Sequence, residues 1–337
     1  MKFKLDNNKM RILNKKGTIS IEFIIGVIIL IISFVVLLFL LFGIPFNPAI
    51  DKEVCHQSIV YRSTAKVGFI DARNTIPLKC KTEKICLTMS GDDCKELSST
   101  KDNPVRKVKL GKDNNKAREK ILEVLAENMV SCHSMLGEGQ LNFFPNDFIG
   151  FKDNKYGLIC TRLVFDKETK DNIKEIGFGE FFAYLEKKTI NEKSYLEYLY
   201  PGWKDSKNSI KLFEEFKKSN PDNKILSNLE FKDWKIDLTQ ENGYAIIVAI
   251  ATKEQGLPFA KSLGYAAIPV GVALLATGVG APVGATLLIG GTASAVVGGV
   301  VFWYEYGDEY RYFPPFLYPY NVQILKNTGI YGFEIAP

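Results

Sequence analysis

The sequence predicts an α+β ectodomain behind a long N-terminal transmembrane helix, with a Gly/Ala-rich helical hairpin near the C-terminus. Three observations carry this expectation. No residue from Phe23 to Ile50 is charged, residues 262–304 form a second uncharged stretch, and between the two, helix-period and strand-period segments follow one another without βαβ alternation. The implied organisation is a basic cytoplasmic leader at 1–17, a transmembrane helix at 18–50 and a disulfide-containing α+β ectodomain at 51–260. The apolar hairpin comes next at 261–305, and a C-terminal strand at 306–337 returns to the ectodomain.

The first apolar stretch is rich in Ile, Val, Leu and Phe and has no polar face. At 1.5 Å rise per residue it is long enough for a hydrocarbon core of about 30 Å, and Pro45 and Pro48 are placed to end it. The first 17 residues carry a net charge of +5, from Lys2, Lys4, Lys9, Arg11, Lys15 and Lys16 against Asp6, and the whole chain is also +5. The remainder is therefore neutral, which argues against a nucleic-acid partner, since phosphate binding needs Lys and Arg clustered on the folded domain. Cations before the helix and none in excess after it predict a cytoplasmic N-terminus, with the bulk of the chain outside the cell membrane.

An ordinary secretory signal has an apolar core of about 7–15 residues, and this one is longer. Lys15-Lys16-Gly17, then Thr18-Ile19-Ser20-Ile21-Glu22, then the apolar run from Phe23, resembles the class III signal of archaeal type IV pilin-like proteins over the N-terminal segment. The resemblance implies cleavage between Gly17 and Thr18, which makes Glu22 the fifth mature residue. A carboxylate at that place is costly in an apolar setting unless the N-terminal ammonium of another subunit pairs with it. Other pilin-like subunits and the lipid bilayer are the implied partners. Thr18 departs from the usual first mature residue, and the domain behind the helix is larger than in most major pilins. The alternative is an uncleaved signal anchor whose Glu22 reaches back to the cytoplasmic interface.

Six cysteines, Cys55, Cys80, Cys86, Cys94, Cys132 and Cys160, all lie beyond the apolar stretch. An even set on the outer side predicts disulfides. Proximity suggests Cys86 with Cys94 or Cys80, and Cys132 with Cys160, the latter stapling the end of a helix to a strand. Metal binding is the competing reading because both histidines come directly after cysteines, at His56 and His133. Without a Cys-x-x-Cys pair or two histidines at helical spacing, the pattern does not favour it.

Within the ectodomain, Ile121, Leu122, Leu125, Met129 and Val130 fall near one face of a helix over 116–135, which Gly137 and Gly139 then stop. Residues 156–165 and 244–252 read as strands, 321–325 as a third, and 178–185, 195–200 and 210–218 as short helices. The segment 98–116 reads as a loop. Tyr195, Tyr198, Tyr200 and Trp203 are placed for a groove or, at helical spacing, for the core. Charged stretches around Lys170, Lys187 and Lys217 read as solvated faces, and Asp92-Asp93 as a solvated turn.

No nucleophile elbow, zinc-protease helix or phosphate loop is present, and with two histidines in the chain the expectation is no enzyme and no cofactor. In the second apolar stretch, Gly264, Gly271 and Gly278, then Gly284, Gly291 and Gly298, recur every seven residues around a Gly280-Ala281-Pro282 turn. That spacing would make two smooth helix-packing stripes. Trp303, Tyr304, Tyr306, Tyr310, Tyr312 and Tyr318 are placed for an interfacial belt; a hairpin buried in the ectodomain is the alternative. The functional expectation is a surface or envelope protein of pilin-like biogenesis, of the minor filament subunit or adhesin kind. A membrane-active or channel-like hairpin protein and a membrane-tethered binding domain are the alternatives.

Overall fold

The computed structural model describes residues 21–42, 48–67, 70–101, 103–141, 143, 155–200, 235–252, 265–269, 286–290, 300–301, 304–306, 310–327 and 330–332. The chain divides into two compact units, Met1–Ile50 and Asp51–Pro337.

In the first unit, α1 is helical over Ile21–Phe42. Its side chains are described over Ile25–Val35, where all are exposed, Leu30 by 69%. Among the described residues no helix is long and apolar enough to cross a membrane. The transmembrane helix expected at 18–50 is corrected on that finding. Pro48 also opens α2 (Pro48–Thr64) rather than closing the preceding helix, as its missing N–H permits at a first helical position.

The second unit is a mixed α/β fold. After α2 come a small ladder of β1 (Lys66–Val67) with β2 (Ile70–Asp71), then β3 (Glu83–Thr88) and β4 (Val105–Lys109). β4 lies inside the segment expected to be loop. Helix α3 (Asn114–Met135) starts where the Asp113 carboxylate accepts from the N–H groups of Asn115 and Lys116. The Lys116 bond chiefly, with the Asn115 bond, lowers the Asp113 pKa against its desolvation.

Strand β5 (Lys155–Phe165) leads through Asp166, whose side chain caps α4 (Lys167–Asn172), to β6 (Glu175–Gly177) and α5 (Phe178–Lys187). The hairpin of β7 (Thr189–Ile190) and β8 (Lys193–Ser194) turns on Asn191 and Glu192, at φ 49° and 67°. Ser194 then caps α6 (Tyr195–Leu199). Next come β9 (Lys235–Asp237), paired with β6, and β10 (Tyr244–Thr252).

The principal sheet has seven strands. Its order is β14 (Tyr304–Tyr306), β15 (Tyr310–Pro319), β10, β5, β3, β4, with β16 (Ile330–Gly332) also on β5. β3 and β16 share one edge of β5: β16 runs parallel to Gly157–Ile159 and β3 parallel to Thr161–Phe165, while β10 is antiparallel along the other edge. In β10, Tyr244, Ile246 and Val248 belong to the larger core with α3, while Ala245, Ile247 and Ala249 pack with Phe313, Phe316 and Leu325 on the opposite side. A strand buried on both faces reads as a continuous apolar run, which is the Tyr244–Thr252 pattern.

Three further expectations are corrected. The Gly/Ala-rich helical hairpin is not formed: β11 (Tyr265–Pro269), β12 (Thr286–Gly290) and β13 (Val300–Val301) make a three-stranded antiparallel sheet. A short apolar run fits helix or strand equally by periodicity, and segments such as Thr286-Leu-Leu-Ile carry β-branched residues. Residues 321–325 are not a strand but the start of α7 (Val322–Asn327), where Asn321 Oδ1 accepts from Gln323 N at 3.1 Å. Tyr312 and Tyr318 are core side chains of β15, 2% and 6% exposed, rather than part of an interfacial belt. Pro314 and Pro315 sit at the β10–β15 register irregularity, where a missing donor costs least.

Phe178–Lys187 and Tyr195–Leu199 are helices near their expected bounds. Tyr198 and Tyr200 are buried. Lys187 and Asp92-Asp93 are exposed, whereas the Lys170 side chain is only 17% exposed and pairs with Glu96 at 3.4 Å. Trp203, Lys217, the 210–218 helix, and the stripe residues Gly264, Gly271, Gly278, Gly284, Gly291 and Gly298 lie outside the described residues.

Candidate functional site

Helix α3 buries Ala117, Ile121, Leu122, Val124, Leu125, Ala126 and Met129 along one side, so its last turn is delivered against the sheet. Cys132, in that turn, bonds Cys160 of β5. Cys55 of α2 bonds Cys80, and Cys86 of β3 bonds Cys94. No cysteine is free. The Cys132–Cys160 pair joins a helix end to a strand as the sequence implied. Of the two partners open to Cys86, the fold selects Cys94 because Cys80 is taken by Cys55.

The two histidines meet at the same turn. His56 Nδ1 lies 3.1 Å from the Met135 carbonyl oxygen, one of the terminal acceptors that α3 leaves unpaired inside the helix. His133 is 2% exposed, and its Nδ1 lies 3.0 Å from the Tyr312 hydroxyl of β15. Its ring stands edge-on to Tyr198 of α6 at 5.2 Å and bonds the Tyr198 backbone. Burial pulls the His133 pKa down from 6.5 to about 4, against that backbone bond. The imidazole is therefore neutral at pH 7.

Beyond the helix, Gly137, Glu138 and Gly139 take φ values of 73°, 57° and 73°. A left-handed glutamate is strained, and it is held: Tyr198 Oη donates to Glu138 Oε1 at 2.7 Å. Burial first, then that bond and the carboxylate's charge, drive the Tyr198 pKa far up. A side chain at Gly139 would run into the Tyr312 ring, so the turn and the tyrosine are packed as one body.

A second polar cluster surrounds Asp166. Its carboxylate accepts from Thr88 Oγ1 at 2.6 Å, Ser90 Oγ at 2.7 Å and Thr169 N at 2.8 Å. Burial alone would raise its pKa, but the bonds from Thr169, Thr88 and Ser90 together outweigh burial and hold it well below the usual range. With its oxygens engaged by β3, the turn after it and α4, Asp166 joins three segments.

Among the described residues no group of three or more His, Cys, Asp or Glu is placed to hold a metal ion. Each cysteine beside a histidine is in a disulfide, which removes the thiolates that a zinc site would use. The signal residues Gly17 and Thr18 lie outside the described residues, and Glu22 is in the first turn of α1. The His133–Tyr312 and Tyr198–Glu138 pairs carry no sequence signal. Asp166 does carry one, an Asp three residues before Thr169 at a strand-to-helix junction.

Comparison with family models, curated proteins and solved structures finds no match for this chain.

Proposed function

We propose that this chain is a non-catalytic surface or envelope protein of pilin-like biogenesis, a minor filament subunit or adhesin, whose disulfide-stapled domain is displayed in an oxidising, extracytoplasmic setting. The three disulfides are the chemistry of such a compartment. The observation that carries the rest of the reading is the run of exposed apolar side chains over Ile25–Val35 of α1, directly behind the basic leader. Water does not favour so large an uncovered Ile, Val, Leu and Phe surface. α1 is the part that meets lipid and, on assembly, the helices of other pilin-like subunits, with Glu22 paired to a neighbour's N-terminal ammonium. The channel-like alternative depends on a helical hairpin and is withdrawn with it.

The test is the mature N-terminus of the protein recovered from its native envelope. Mass spectrometry is expected to find Thr18 as the first residue. Recovery of residues 1–17 on the mature chain would overturn the pilin-like reading.

A further inference from the structure

We propose that Arg162 of the central strand β5, on the sheet face turned away from α3, anchors a binding site for a carboxylate monoanion, with Lys84 of β3 beside it and the Tyr320 ring against it. The site belongs to the displayed domain and does not rest on how the chain is exported.

Strand alternation brings the two cations together. In β3, Ile85 and Leu87 belong to the core with α3, so Lys84 and Cys86 point to the other face. In β5, Leu163 belongs to that core, so Arg162 and Val164 do likewise. In register, Arg162 has Lys84 on one side and Ala245 of β10 on the other. That second face carries two separate apolar clusters, one of Cys86, Cys94, Leu97 and Val164, the other including Ala245, Ile247 and Tyr318. Arg162 stands in the gap between them.

Among the described residues nothing neutralises its charge. The guanidinium carbon lies 4.0 Å from the centre of the Tyr320 ring, itself packed against the second cluster. The Arg162 Nε is closed off from water without a hydrogen-bond partner, and no hydrogen bond or ion pair from the described residues engages the rest of the group. Glu96 is the acid whose charge bears on it, but Lys170 holds Glu96 at 3.4 Å and is itself held by the Glu241 carbonyl at 3.2 Å. Burial lowers the Arg162 pKa, and Tyr320 and Glu96 oppose that only in part. A partly buried cation without an acceptor is costly, and the acceptor it lacks comes from outside the chain.

The surroundings select the kind of anion. The Tyr320 ring closes one side of the guanidinium, and a planar carboxylate can take two of its remaining N–H donors as a fork. Lys84 Nζ is fixed by the Ser98 carbonyl oxygen at 3.0 Å, and an ammonium has two donors beyond that one. With Lys170 matched by Glu96, the charge to be met is that of Arg162 and Lys84, and the nearby Glu96 disfavours a dianion.

NMR titration of the isotope-labelled full chain with sodium acetate, read at the backbone amides of Arg162 and Tyr320 and at the Arg162 Nε–H, tests this, with sodium chloride at equal ionic strength as the reference. Acetate is expected to give a saturable shift, half-complete on the order of 10 mM, and chloride none. Arg162→Lys keeps the charge without the fork and is expected to abolish the response at Tyr320. Lys84→Gln gives a reading that does not depend on Arg162→Lys folding, and is expected to weaken acetate binding about threefold, the scale of one partly exposed charge. No saturable shift, an equal shift with chloride, or an undiminished response in Arg162→Lys means an adventitious ion only and overturns the site, and an affinity unchanged by Lys84→Gln overturns the pairing of the two cations. Saturation by inorganic phosphate without saturation by acetate overturns the carboxylate assignment.

Discussion

His133 and Asp166, both buried, each make the stability of this domain depend on pH. His133 binds its proton with a pKa near 4 when folded and near 6.5 when unfolded. Between those values the unfolded chain holds more protons, so stability is complete above about pH 6.5 and is lost as pH falls towards 4, by about 3 kcal/mol in all. Asp166 has the opposite character: its folded pKa is depressed, so its contribution is present above the ordinary carboxylate range and is lost only as pH falls below it. Urea unfolding at pH 7, 5.5 and 4.5 is expected to show the His133 slope, and His133→Gln to flatten it while leaving the steeper acid limb. Backbone positions are equally specific. Gly243 has φ +69°, and a side chain there would meet the Leu163 carbonyl oxygen of β5. Gly243→Ala is expected to cost about 2 kcal/mol or more, read as a fall in Tm, because neither the turn nor the central β5–β10 pairing can move away.

Elements are held together here by staples placed at their ends. Cys132–Cys160 closes a separation of 28 residues and joins α3 to β5, while Cys86–Cys94 closes only 8. On the chain-entropy account longer closures stabilise more. Replacing Cys132 and Cys160 together by Ala is expected to cost about 2–4 kcal/mol. Replacing Cys86 and Cys94 together is expected to cost less, with both effects measured by urea unfolding under non-reducing conditions. An equal cost for the two pairs would show that native-state packing, rather than loop closure, sets the cost. Arg118 of α3 also reaches Glu180 of α5 at 2.6 Å, but a partly exposed pair of this kind contributes at most about 1 kcal/mol. The helix layer is held chiefly by its apolar face and its disulfide.

At the scale of the whole molecule, a seven-stranded mixed sheet has α3, α5 and α6 on one face and a smaller apolar cluster with α7 on the other. β16 and α7 bring the C-terminal segment back to β5. Residues far apart in the chain therefore share one core, and His133 and Tyr312 are separated by 179 positions.

Elements whose own pattern contains their structure were legible in the sequence by itself: α3 from its apolar spacing, β10 from an apolar run of strand length, α5 and α6 from short helical patterns, and disulfide bonding from an even set of six cysteines. The tertiary structure alone decided the rest. Which cysteine takes Cys86, what His133 bonds, why Glu138 is left-handed, that residues 265–290 contribute strands where glycine spacing suggested helices, and that 322–327 is helical all depend on neighbours brought in by the fold. Periodicity reports the face an element buries. It does not report the partner across that face, and for a short apolar run it does not distinguish two residues per repeat from 3.6.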